Sequence, residues 1–113
     1  MEKKILLIDD DRDSALVLME FLVDEGFQVD ATFSAKSALK MFSAGKYQLI
    51  VTDYKLPDSD GLKLTKQFSA QDSRLKVIFL TGYKIRIETG KNRQILEKPA
   101  RPSQILALIK KMI

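Results

Sequence analysis

The sequence contains no cysteine and no histidine. The first absence rules out a disulfide framework and a thiolate metal site, and the second removes the usual general base and zinc ligand. Chemistry in this chain must run on carboxylates, lysines and hydroxyls. No apolar run approaches membrane-spanning length, and only four apolar residues separate Met-Glu-Lys-Lys from Asp9, far too few for a signal peptide. A cytoplasmic protein is expected. There is no internal repeat, low-complexity tract or linker, so one domain over residues 1–113 is expected. The net charge of +4 is too mild to argue for nucleic acid by itself. Its distribution is uneven, because residues 84–113 hold eight of the basic side chains and only two of the acidic ones.

What is present alternates between two patterns. Ile5-Leu6-Leu7-Ile8, Leu49-Ile50-Val51 and Val77-Ile78-Phe79-Leu80 are short continuous apolar runs, as expected of strands buried on both faces of a parallel sheet. Phe27, Val29 and Ala31 alternate as a second strand, and Ile95-Leu96 give a minimal fifth. Between the runs lie helical patterns. Ala15, Leu18, Met19 and Leu22 recur at helical spacing before Gly26. Ser34 is placed to cap a helix with the buried stripe Ala35, Ala38, Leu39 and Phe42, ended by Gly45. Gly61 to Phe68 reads as a third helix. Ile105, Leu108, Ile109 and Met112 form the stripe of the last one, with Pro102 just before it and Ser103 in its first turn. Strands alternating with helices on short loops predict an α/β fold, a parallel sheet covered on both faces.

In such a sheet the binding crevice lies at the carboxyl ends of the strands. The polar residues that end the apolar runs are Asp9, Asp10 and Asp11, then Asp53, Thr81 and Lys98. Each has an ordinary explanation alone, since an Asp run often caps a helix and Lys-Pro is commonly solvated. Their joint position asks for more. Two carboxylates about 4 Å apart repel by roughly 4 kcal/mol at an effective dielectric of about 20, so clustered acids need a cation. Hard oxygens without His or Cys select Mg²⁺, with Mn²⁺ as an alternative. A carboxylate such as Asp53 can attack phosphorus, and the Thr81 hydroxyl, Lys98 and a metal ion would neutralise the three equatorial oxygens.

These motifs, Ile8-Asp9-Asp10-Asp11, Val51-Thr52-Asp53-Tyr54-Lys55-Leu56-Pro57 with Gly61, Leu80-Thr81-Gly82 and Glu97-Lys98-Pro99, closely resemble those of the response-regulator receiver family of two-component and phosphorelay signalling. The resemblance spans nearly the whole chain. It implies a flavodoxin-like, doubly wound (βα)₅ fold of strand order 2-1-3-4-5, and a protein that promotes only its own Mg²⁺-dependent phosphorylation and dephosphorylation rather than acting as an enzyme on free substrate. It further implies that Asp53 is the phosphoacceptor, served by a histidine kinase or histidine phosphotransfer protein. Asp10 would bind Mg²⁺ directly, Asp9 through a water, and Lys55 through its backbone carbonyl. Thr81 and Lys98 would contact the phosphoryl group, while Gly82 leaves access to it. Lys55 and Tyr83 stand at positions where bulky side chains slow hydrolysis. Asp11 is left outside the site, and Pro57 and Gly61 shape the loop.

The chain departs from the family pattern in two places. Thr81 and Lys98 are 17 positions apart, roughly five fewer than is typical, so the fourth helix is expected to be short or absent. Tyr83, Ile85 and Ile87 alternate and Thr89-Gly90 interrupts, which favours extended chain with at most one or two helical turns. Ile95 also stands where most receivers carry an aromatic ring that moves with the Thr. Without a full fourth helix, a monomer is expected rather than the family's symmetric dimer. The basic residues Lys84, Arg86, Lys91, Arg93 and Arg101 suggest docking of an acidic protein partner, and direct DNA binding is not expected without a recognition helix. The rival reading is a receiver-like adaptor that binds a partner without phosphorylation. A true Mg²⁺ hydrolase would need a further acid/base that the sequence does not offer.

Overall fold

A computed structural model describes residues 3–113. The elements run β1 (Lys4–Ile8), α1 (Arg12–Asp24), β2 (Gln28–Thr32), α2 (Ala35–Met41), β3 (Leu49–Asp53), α3 (Gly61–Gln71), β4 (Lys76–Thr81), β5 (Arg93–Glu97) and α4 (Pro102–Met112). All strand pairs are parallel, and the order is β2-β1-β3-β4-β5, so the expected doubly wound sheet is what forms. Successive side chains leave a strand on opposite faces. Ile5, Leu7, Leu49, Val51, Ile78 and Leu80 therefore pack with Ala15, Leu18 and Leu22 of α1 and Ile105, Ile109 and Met112 of α4. Leu6, Ile8, Ile50, Val77 and Phe79 pack on the other side with Ala35, Ala38, Leu64 and Phe68 of α2 and α3. Burial on both faces is why these strands read as unbroken apolar runs.

Short polar side chains start three of the helices. The Asp11 carboxylate accepts from the Ser14 N–H at 3.3 Å and from its hydroxyl at 2.9 Å, Ser34 Oγ accepts from the Ser37 N–H at 3.1 Å, and Asp60 accepts from the Lys63 N–H at 2.7 Å. The last helix begins at Pro102, inside the first turn, and the Gln104 side chain accepts from the Arg101 N–H at 2.8 Å.

The second helix differs from expectation. It stops at Met41, and Leu39 is 43% exposed rather than part of a buried stripe. The cause is Phe42, which turns out of the helix in extended conformation and stacks on Phe68 with ring centroids 4.1 Å apart. Gly45 takes the following turn at φ 81°, where a side chain would be strained.

The crossover from β4 to β5, residues 82–92, contains no helix. Ile85 and Ile87 are half-buried while Lys84, Arg86 and Glu88 are exposed, and Ile87 packs beside Ile95 against the α2/α3 side of the sheet. The alternation predicted from sequence is therefore that of an extended segment. Among the described residues no helix is long and apolar enough to cross a membrane.

At the outer side of β1, Tyr47 is buried and its hydroxyl donates to Asp30 at 2.7 Å, with Lys4 Nζ 3.3 Å from the same carboxylate. Burial alone would raise the pKa of Asp30, but the Tyr47 hydroxyl and the Lys4 ammonium outweigh it and hold the carboxyl below its ordinary value of 3.8. A depressed carboxylate contributes stability above its unfolded pKa and loses that contribution as pH falls through the folded one. Asp30→Asn is therefore expected to lower stability by about 1 kcal/mol at pH 7, and the difference from the native protein should close below about pH 4. Urea melts of the two proteins across this pH range measure it.

Candidate functional site

Parallel strands bring their carboxyl ends to one rim, and the register decides which side chains meet there. Asp53 ends β3 opposite Leu80, and Thr81 ends β4 opposite Glu97, the residue before Lys98. Asp9 and Asp10 follow β1 directly. One carboxylate oxygen from each of Asp9, Asp10 and Asp53 lies within 4.8 Å of the other two, with Asp9 and Asp53 buried and Asp10 exposed.

Asp53 is 3% exposed, and its Oδ1 sits 2.7 Å from Lys98 Nζ. Apart from that ion pair, no hydrogen bond from the described residues reaches this enclosed oxygen. Burial first, and then the neighbouring Asp9 carboxyl, push the Asp53 carboxyl up to about 7 against the pull of Lys98. Partial burial works against the Lys98 ammonium, but Asp53, with Asp9 and Asp10 behind it, raises its pKa overall. One lysine thus faces three carboxylates. The remaining negative charge, the enclosed oxygen and an all-oxygen donor set suit a hard divalent cation such as Mg²⁺ or Mn²⁺.

Lys55 meets Asp60 in an isolated antiparallel bridge. Its two hydrogen bonds run from Leu56 N–H to Ser59 carbonyl at 3.0 Å and from Gly61 N–H to Tyr54 carbonyl at 2.5 Å. The Lys55 carbonyl takes part in neither, and the Lys55 side chain is exposed. The loop is pinned from outside by Asp58, whose two carboxylate oxygens accept from the Ala35 and Lys36 N–H groups of α2, each at 2.9 Å. Those hydrogen bonds hold the Asp58 carboxyl below its ordinary pKa. Sequence reasoning did not single out Asp58, and only its place between Pro57 and the helix-capping Asp60 marks it as a turn residue.

Thr81 stands at the rim with its hydroxyl turned to its own loop. It donates to the Tyr83 carbonyl at 2.8 Å, and the Tyr83 N–H reaches it at 3.3 Å. Tyr83 is 52% exposed, and its ring lies edge-on to Tyr54 at 6.4 Å, which is in turn edge-on to Phe79 at 5.9 Å. A chain of three rings, Phe79–Tyr54–Tyr83, therefore runs past the residue that follows Asp53 and ends on the Thr81 loop, and only the adjacency of Tyr54 to Asp53 is visible in the sequence. Ile95 is half-buried among the apolar residues behind it. Beside the site a cleft of about 740 Å³ opens between α1 and α4, lined among others by Asp9, Val17, Lys98 and Ile105.

Comparison with known proteins places this geometry. The response regulator receiver domain matches residues 5–110. The chain is 28% identical to the response regulator receiver protein CpdR of Brucella abortus, covering 98% of this chain and 97% of that protein. It is 30% identical over 83 residues to sporulation initiation phosphotransferase F of Bacillus subtilis, 74% of this chain and 67% of that one. A probable transcriptional regulator of Porphyra purpurea is 28% identical over the whole chain, which spans only 57% of its length. Among solved structures, a CheY-like receiver domain from Methylobacillus flagellatus superposes with a TM-score of 0.86 at 27% identity over all of both chains. The response regulator TrrA from Thermotoga maritima, in complex with Mg²⁺–BeF, gives 0.85 at 27% identity, covering 98% of this chain and 99% of that one. With its parallel 2-1-3-4-5 sheet and acidic rim, this chain belongs to the response-regulator receiver family of two-component signalling.

Proposed function

We propose that this receiver accepts a phosphoryl group on Asp53 from a histidine kinase or a histidine phosphotransfer protein, in a Mg²⁺-dependent reaction, and that the state of Asp53 sets its affinity for a protein partner. The observation that carries the reading is the pairing of buried Asp53 with Lys98 at 2.7 Å beside Asp9 and Asp10. A carboxylate oxygen of Asp53 forms the new O–P bond as the P–N bond of the donor phosphohistidine breaks, and the electron pair stays on the imidazole nitrogen. Lys98, already aimed at Asp53, neutralises charge on the arriving phosphoryl oxygens. Asp9, Asp10, Asp53 and the Lys55 carbonyl would hold Mg²⁺, which when bound supplies a hard Lewis acid for a phosphoryl oxygen.

The Thr81 hydroxyl is committed to the Tyr83 carbonyl, so serving the phosphoryl group means giving up that bond. Tyr83 then loses its tie to Thr81, and the Tyr54–Tyr83 contact can report the change where Ile95 has no ring to move. Exposed Val17 of α1, which lines the cleft that opens on Lys98, offers the histidine-bearing partner its approach. The basic stretch 84–101 offers an acidic protein partner a separate one.

Incubation with a small phosphoramidate and Mg²⁺, followed by intact mass and peptide mapping, tests the reading. One phosphoryl group on the peptide holding Asp53, and none when a chelator is present from the start, is the expected result; no addition under any condition would favour the non-switching adaptor instead. Hydrolysis gives a further prediction. Bulky Lys55 and Tyr83 stand two residues after Asp53 and Thr81, the positions where large side chains slow hydrolysis in receivers, so phosphate release is expected to be slow and to accelerate in Tyr83→Ala and Lys55→Ala. Equal release rates in all three proteins would remove the shielding role.

A further inference from the structure

Strand β5 lies at the edge of the sheet, and its cross-strand hydrogen bonds fix which of its peptide groups face β4. Val77 N–H donates to the Asn92 carbonyl at 2.9 Å and Lys98 N–H to the Thr81 carbonyl at 2.7 Å. With the register running from Val77 opposite Arg93 to Thr81 opposite Glu97, the alternation turns Gln94 and Leu96 toward β4 and Arg93, Ile95 and Glu97 outward. Arg93 is satisfied locally, because its N–H and carbonyl exchange hydrogen bonds with Gly90 at 3.3 and 2.9 Å. Among the described residues nothing pairs with the outward N–H and carbonyl groups of Ile95 and Glu97.

An open sheet edge is a template for another strand, and proteins that do not use one cover it or blunt it. Here residues 84–89 form no helix, and half-buried Ile87 packs beside half-buried Ile95, with Ile85 half-buried two residues before it. The exposed charges around the edge are mostly positive, Lys84, Arg86, Lys91 and Arg101 against Glu88 and Glu97. That balance disfavours a second copy, which would bring the same cations face to face, and favours an acidic strand.

We infer that the free edge of β5 docks an extended acidic segment of a partner protein as a sixth strand, hydrogen-bonded to the backbone of Ile95 and Glu97, with alternate apolar side chains over the Ile95 face and acidic ones toward the flanking cations. This gives a binding mode to the acidic partner proposed above and rests on that reading for the partner's charge alone.

The test is a titration of the isotope-labelled protein with a synthetic peptide of alternating Glu and Val, followed by amide hydrogen exchange. Exchange at Ile95 and Glu97 is expected to slow by about tenfold or more on binding. The same peptide N-methylated at alternate residues, and one with Lys in place of Glu, should not bind. Glu97→Pro removes an outward donor at a position where an edge strand tolerates proline, and should weaken binding while the protein stays folded by circular dichroism. The N-methylated peptide decides the matter if that variant does not fold. Shifts confined to the basic residues, without protection at Ile95 and Glu97, would overturn strand addition and leave the acidic partner standing. No shifts at all would overturn both. Protection that rises with protein concentration in the absence of peptide would overturn the proposal in favour of self-pairing.

Discussion

Lys98→Ala is expected to slow phosphorylation of Asp53 by about 10²–10³-fold, the usual effect of removing one preorganised donor from a developing charge. The ammonium is held 2.7 Å from Asp53 Oδ1 before any phosphoryl group arrives, so no reorganisation is needed when charge builds up there. Its raised pKa keeps it charged at neutral pH. Asp53→Asn, which lacks the nucleophile, sets the floor at no addition. Lys98→Arg should recover only part of the rate, because a planar guanidinium fork cannot replace a compact ammonium on the same stem. Lys98 is 42% exposed on its side chain, so its loss should leave the fold intact. Phosphorylation time courses by mass, beside thermal melts, separate the two effects. A Lys98→Ala protein phosphorylated at the native rate would remove Lys98 from the site.

Most of the architecture was legible because each buried strand is a short apolar run that stops at a polar residue. The residues that end those runs are the ones the parallel sheet gathers at one rim, so Asp9, Asp10, Asp53 and Lys98 stand out together from the sequence alone. Continuous runs carry no mark of which face each side chain takes, and the division of Ile5 and Leu7 from Leu6 and Ile8 needed the helices in place. The end of α2 was missed for a related reason. Phe42 fits helical spacing, yet stacking on Phe68, far along the chain, draws it out of the helix. Asp58 escaped notice because its partners lie 22 and 23 residues away, and local sequence cannot show a cap supplied by another loop.

The reporting end of the molecule was legible only as an absence. Ile95 in place of a ring, and too few residues for a fourth helix, predicted a weakened link between Asp53 and the surface. The structure adds the contacts that stand there instead, with the Thr81 hydroxyl on the Tyr83 carbonyl and the Tyr83 ring against Tyr54. Tyr54 follows Asp53 directly, so in the proposed switch a shift at Asp53 and a turn of Thr81 would act on the two ends of the same ring pair.

Gly61→Ala should combine a loss of stability with a loss of phosphorylation, because one methyl group at this position meets the backbone of Asp53 itself. A Cβ on Gly61 would lie 2.5 Å from the Asp53 carbonyl oxygen, 3.1 Å from Thr52 Cγ2 and 3.3 Å from Phe79 Cδ1. The two side-chain contacts can relax, but the carbonyl belongs to a strand held by neighbours on both sides. Overpacking of this kind costs about 1–3 kcal/mol, and the intrinsic helix preference of Ala over Gly returns at most about 1 kcal/mol. The urea midpoint should therefore fall. Relief of the clash moves either the start of α3, and with it the loop of Lys55, or the end of β3, and with it the carboxylate of Asp53 relative to Lys98. A displacement near 1 Å in reacting groups is enough for about 10²-fold in rate, so slower phosphorylation should accompany the lower midpoint. Gly90→Ala, where an added Cβ meets nothing within 4 Å, is the control and should change neither. If Gly61→Ala matched the native protein in both measurements, the close approach at Asp53 would have no bearing on the site.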